Sequence, residues 1–150
     1  MREHHFHLEA VWSGGRLGTG ELRGKGLATA ISIPGEMDGP GVGSNPEELL
    51  IGAAMNCYII TLAAILERRN LKVQSLTLQS EGIVTVEGGN FLFRQIIHRP
   101  AVVLAEGDEK TVDAAVHACH RAEQICMISK ALRGNVDLQV EPTVTLAIGD

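Results

Sequence analysis

Three cysteines, an arginine in a glycine-rich stretch and two adjacent glutamates are the residues of this sequence whose types and spacing could do chemistry together. Cys57 lies inside residues 49–66, a run with no charged side chain. A cysteine there can pack simply as a small hydrophobe. To act as a nucleophile it must ionise, and an ordinary thiol, with a pKa of about 8.5, ionises too little at neutral pH without help. If a helix starts at Pro46, Cys57 is about three turns in, beyond the first turn where the dipole favours an anion. Help then has to come from a cation carried by another part of the chain. Arg16, within Trp12, Ser13, Gly14, Gly15 and Arg16, projects from a turn able to fold over a site; the plainer reading is a solvated loop arginine. An arginine in an apolar pocket needs a carboxylate partner. Helical phase separates the two on offer: Glu48 lies about 180° from Cys57 around the axis and Glu47 about 80°, each about 14 to 15 Å along it. Glu47 is the better anchor for an arginine that reaches Cys57. Glu48, three residues after Asn45, is placed for a capping box.

Cys126 and Cys119 are the cysteines that could resolve an oxidised Cys57 as a disulfide. Seven residues apart on one helix, they would be separated by about 10 Å, too far to bridge each other, so at most one partners Cys57. His4, His5 and His7, and His117 and His120 around Cys119, are the histidine groups. Residues 117, 119 and 120 cannot all share one helical face, so no metal site is expected. No phosphate-binding loop, dinucleotide fingerprint or nucleophile elbow occurs, and no cofactor is expected.

The elements that must position these residues can be read in order. Residues 5–11 alternate loosely as a strand closed by Trp12, and glycines between 14 and 20 mark a turn. Strands follow around 21–23 and over 27–33, then a loop rich in Pro and Gly over 34–43. Asn45 as cap, Pro46 at the first helical position and acidic Glu47 and Glu48 start a helix that runs to about Asn70. Residues 73–86 and 91–104 form a hairpin of long strands about Gly88, Gly89 and Asn90. A helix capped by Asp108 extends to about Cys126, a short helical turn covers 129–132, and 136–148 is a strand that Pro142 marks as an edge or a break. The class is α+β in a single domain spanning 1–150.

Composition narrows the function. Thirteen Lys and Arg against 18 Asp and Glu give a net charge of −5, which argues against a nucleic-acid partner. The uncharged run 49–66 is near the lower length limit for a membrane span. Its small residues Gly52, Ala53, Ala54, Ala63 and Ala64 and its central Asn56 instead suit a helix apolar all round at the centre of a core, and no membrane association is expected. The first seven residues lack the apolar run of a secretory signal, so a cytoplasmic location with reduced cysteines is expected.

Two motifs together carry a resemblance: Ser44, Asn45, Pro46, Glu47, Glu48 and Leu49 through Gly52, Ala53 and Ala54 to Cys57, and the stretch from Ile125 and Cys126 through Ser129 to Val136. Nearly the whole chain resembles the OsmC/Ohr family of thiol-dependent peroxidases. The resemblance implies an OsmC-like fold, with antiparallel sheets around a long central helix, in an intertwined homodimer whose two active sites lie at the subunit interface. It implies that Cys57 attacks an organic hydroperoxide and becomes a sulfenic acid, that Cys126 condenses with it to a disulfide, and that an external dithiol restores the enzyme. Glu47 stands at the family glutamate position, and the Gly14, Gly15, Arg16 turn resembles that of the Ohr branch, giving Arg16 the arginine's role. Three positions depart from the family. Met37 holds roughly the place of the OsmC-branch arginine, Met127 follows Cys126 where proline is usual, and Tyr58 follows Cys57 where phenylalanine is common. The chain thus resembles an OsmC-like subgroup. The alternative reading is a non-catalytic dimer of the same fold that binds a small ligand or serves a stress response.

Overall fold

The computed structural model describes residues 1–148. The chain divides into two compact units, Met1–Leu49 and the remainder from Leu50. The first holds an antiparallel sheet of β1 (Leu8–Ser13), β2 (Thr19–Gly24) and β3 (Ala28–Ile31), in the order β1-β2-β3. The strand expected over 5–11 therefore lies further on, and His5 and His7 precede it. All six β1 residues are exposed, and Phe6, Leu8, Val11, Trp12 and Leu17 are among the large apolar side chains left uncovered. Among the described residues, no hydrophobic core cluster includes a residue of this unit.

Helix α1 (Pro46–Arg68) begins where its start signals stand. The Glu48 N–H donates to Asn45 Oδ1 at 2.8 Å, but the Glu48 carboxylate accepts from the Ser44 hydroxyl at 3.2 Å, so only half of the expected capping box forms. The other end is a Schellman motif. Asn70 takes φ +57°, its N–H donates to the Glu67 carbonyl at 2.9 Å, and Leu71 N–H reaches back to the Leu66 carbonyl at 3.1 Å.

The second unit is built on a hairpin of β4 (Val73–Glu87) and β5 (Asn90–Leu104). Gly88 and Gly89 connect them with φ of +56° and +80°, the two left-handed residues that a tight hairpin turn demands. Helix α2 (Glu109–Ile125) is capped by Asp108, and α3 (Met127–Leu132) follows after Cys126 alone. Pro142 does break the last strand, into β6 (Asp137–Val140) and β7 (Thr143–Leu146), yet both pair parallel to β5 in one continuous register. β5 is thereby the central strand of the sheet.

Tyr58, Leu62, Ile65 and Leu66 of α1 pack with Val102 and Leu104 of β5 and with Ala115, Ala118, Cys119 and Ala122 of α2. Gly82 on β4 admits α1 closely, since a Cβ there would meet Ile51 Cδ1 at 2.5 Å and Phe93 Cζ at 2.8 Å. Helix α1 is long and apolar enough to cross a membrane by length and composition. Its burial is not all-round as the sequence suggested: one stripe is buried in the core, while Gly52, Ala53, Asn56, Ala63 and Ile60, the last 64% exposed, are uncovered. The reason is supply: the second unit offers one packed surface, and a helix needs two to be enclosed.

Beneath the buried stripe lies a polar pair. The ring of Tyr58 stacks on that of His98 with centroids 4.6 Å apart, and its hydroxyl donates to the Cys119 carbonyl at 2.8 Å. His98 is fully buried; its Nδ1 meets Ser80 Oγ at 2.6 Å and its Nε2 has no partner. Burial pushes its pKa down to about 4. Below pH 6.5 the unfolded chain therefore takes up the His98 proton before the folded one does. The stability contributed is complete above that pH and is lost as pH falls through 4, by up to about 3 kcal/mol. Denaturant unfolding from pH 7 to 4 is expected to show this slope in the native sequence and a flatter one in His98→Gln. Equal slopes would refute the assignment.

Candidate active site

Cys57 projects from the middle of α1, on the flank between its buried stripe and its uncovered face, and is half-buried. Cys126 occupies the one residue between α2 and α3, as N-cap of α3, and is fully buried. Both are free thiols, and they lie close enough for each to shift the titration of the other. Cys119, the other sequence candidate for partnering Cys57, sits in the core cluster, where burial pushes its thiol up to about 11.

Burial alone would raise the Cys57 thiol, but the hydrogen bond from Cys126 and those from the backbone N–H groups of Ile128 and Met127 outweigh it, and the net shift is downward. Thr61 lies beside the same sulfur, although its hydroxyl also donates to the Cys57 carbonyl at 2.7 Å. Cys126 moves the other way. Burial raises it, and the bond with Cys57 raises it further. The shifts are opposed: the thiol favoured for ionisation is the half-buried Cys57, and the disfavoured one is the fully buried Cys126.

These backbone donors are what sequence reasoning missed. It sought activation from a cationic side chain, whereas part of it comes from the first turn of α3. The signal was Met127: a proline there would have had no N–H to give.

Arg16 lies in the turn between β1 and β2, which Gly14 shapes with φ +95° and the Trp12 indole pins by donating to the Gly15 carbonyl at 3.1 Å. The arginine is exposed, and its Nη2 donates to the Met37 carbonyl at 3.0 Å. It thus reaches the loop ahead of Asn45 and Pro46. Glu47 is in the first turn of α1. Its Oε2 is buried without a hydrogen-bond partner, and it forms no ion pair with Arg16 or any other cation among the described residues. Glu48 is exposed. His117 and His120 are both exposed, and no group of three or more His, Cys, Asp or Glu is placed to hold a metal ion among the described residues.

The family profile described as OsmC-like protein matches residues 39–141. An uncharacterized protein of Bacillus subtilis, YmaD, is 52% identical over 147 residues, covering 97% of this chain and 98% of that protein. The organic hydroperoxide resistance protein of Xanthomonas axonopodis pv. citri is 30% identical over 145 residues, covering 95% of this chain and 94% of the relative. Among solved structures, an organic hydroperoxide resistance protein OsmC from Legionella pneumophila superposes with a TM-score of 0.71 at 20% identity. That match covers 97% of this chain and 100% of the other, and at this identity the likeness is one of fold.

Proposed function

This chain is a member of the OsmC-like protein family, and we propose that it works as a thiol-dependent peroxidase that reduces organic hydroperoxides through Cys57 and Cys126. The observation that carries the reading is the neighbouring thiols with opposed shifts: Cys57 half-buried and lowered in pKa, Cys126 fully buried and raised. The organic hydroperoxide resistance protein of Xanthomonas, similar along nearly its whole length, supports the substrate class.

The Cys57 thiolate attacks one oxygen of the hydroperoxide. An S–O bond forms, the O–O bond breaks, and the departing alkoxide takes a proton to become the alcohol. Cys57 is oxidised by two electrons to a sulfenic acid. Cys126 then displaces water from it to give the disulfide, which an external dithiol reduces by exchange. Arg16 is the cation proposed to favour the thiolate and Glu47 the carboxylate proposed to hold that arginine. The buried, unpartnered Oε2 of Glu47 supports this, because such an oxygen calls for a donor.

The working form is proposed to be a cytoplasmic homodimer in which all 150 residues act as one OsmC-like domain with active sites at the interface. Two features support a second copy. Unit 1 has no core of its own, and α1 leaves an apolar face uncovered, as surfaces awaiting an obligate partner do. The test of function is direct: purified protein with a dithiol donor should consume cumene hydroperoxide over many turnovers. Failure with alkyl, aromatic and lipid hydroperoxides alike, in a folded protein, would overturn the proposal.

A further inference from the structure

The hydroxyl of Ser129 takes no part in the chemistry above, yet it sits against it. Ser129 is 0% exposed, and its Oγ is buried without a hydrogen-bond partner in the resting arrangement. A hydroxyl left so is a standing cost to the fold, and alanine would avoid it.

Its position in the cap tells what it faces. Cys126 is the N-cap of α3, and Ser129 is the third helical residue after it. The same two positions of α2 hold Asp108 and Thr111, where the Thr111 hydroxyl donates to Asp108 Oδ1 at 2.9 Å and accepts from the Asp108 N–H at 3.2 Å. In α3 the second of these bonds is closed to Ser129, because the Cys126 N–H is already given to the Ala122 carbonyl at 2.9 Å. What remains for Ser129 Oγ is the Cys126 side chain. Burial and then Cys57 push the Cys126 thiol up, and the neighbouring Ser129 pulls against them.

We propose that Ser129 is a positioning residue for disulfide formation: its hydroxyl donates a hydrogen bond to the Cys126 sulfur as that sulfur becomes a thiolate beside oxidised Cys57. The inference rests on the two-cysteine reading above for the reaction it serves. In that step the Cys126 sulfur attacks the sulfur of the Cys57 sulfenic acid. The S–S bond forms, the S–O bond of Cys57 breaks, and hydroxide leaves with the proton that Cys126 gave up, as water. Ser129 keeps its own proton. The hydroperoxide already consumed is the only oxidant needed.

Two measurements test it. With Cys57→Ala and Cys119→Ala, Cys126 is the sole thiol, and its thiolate ultraviolet absorbance against pH follows its titration. Ser129→Ala is expected to move that titration up by about one pH unit, the size of one hydrogen bond to a charged group, and Ser129→Thr to restore it. With all three cysteines present and one equivalent of cumene hydroperoxide, Ser129→Ala is expected to form the sulfenic acid at the native rate and the disulfide about tenfold more slowly. An unmoved titration together with an unslowed disulfide step overturns the proposal. The titration needs no hydroperoxide, so a chain inert to peroxide but shifted by Ser129→Ala would strike at the peroxidase reading and leave the Ser129 contact standing. Thermal unfolding guards against misfolding, since removing an unpartnered buried hydroxyl should not lower stability.

Discussion

Cys57→Ser is expected to abolish organic hydroperoxide consumption while leaving the fold in place. A hydroxyl ionises far less readily than a thiol, and its oxygen cannot accept oxygen from a hydroperoxide to form the sulfenic acid on which turnover depends. Oxygen replaces sulfur at a half-buried position, so packing changes little. Cys126 cannot take over, because it is fully buried and its thiol is pushed up by that burial. Nor can Cys119, with its thiol raised to about 11 in the core. Consumption of cumene hydroperoxide in the presence of a dithiol measures this. Turnover by the serine variant at a rate near that of the native chain would remove Cys57 from the chemistry.

Arg16→Met is expected to slow the reaction of Cys57 with hydroperoxide by about 100-fold, the scale on which a preorganised charged donor acts on a developing charge. The same change should shift the pH profile of that reaction to higher pH, because less of Cys57 is then ionised at any given pH. Arg16→Lys should recover only part of the loss, since a lysine lacks the planar fork that can hold a carboxylate and a second acceptor together. Glu47→Gln should slow the reaction about tenfold, through looser placement of the arginine rather than through lost charge at the sulfur. Stopped-flow rates across pH distinguish these effects. Unaltered rates and profiles in both Arg16→Met and Glu47→Gln would mean that Cys126 and the amides of Met127 and Ile128 activate the thiol on their own.

The local parts of the architecture were legible because local chemistry decides them. Asp108 announces the start of α2, and two glycines announce the β4 to β5 turn. Pro46 with two glutamates announces α1. The parallel pairing of β6 and β7 along β5 was not legible, since nothing in residues 137–146 tells which strand they will meet. Residues 5–11 misled because loose alternation persists ahead of the strand, where no neighbour pairs with it. In the site, the sequence left Cys119 and Cys126 open as partners of Cys57. The choice turns on helix packing, since Cys119 falls on the stripe of α2 with Ala115 and Ala122, whereas Cys126 falls where the helix ends. The amides of Met127 and Ile128 that lower the Cys57 thiol leave only a negative mark in the sequence, the absence of proline at position 127, because any other residue supplies the N–H.

The central claim is that Cys57 and Cys126 form one redox pair, and mass spectrometry after a single equivalent of cumene hydroperoxide tests it most directly. The expected product is a chain linked by a Cys57–Cys126 disulfide, with Cys119 still a free thiol. A stable sulfenic acid on Cys57 with Cys126 unmodified, or a disulfide that includes Cys119, would contradict it.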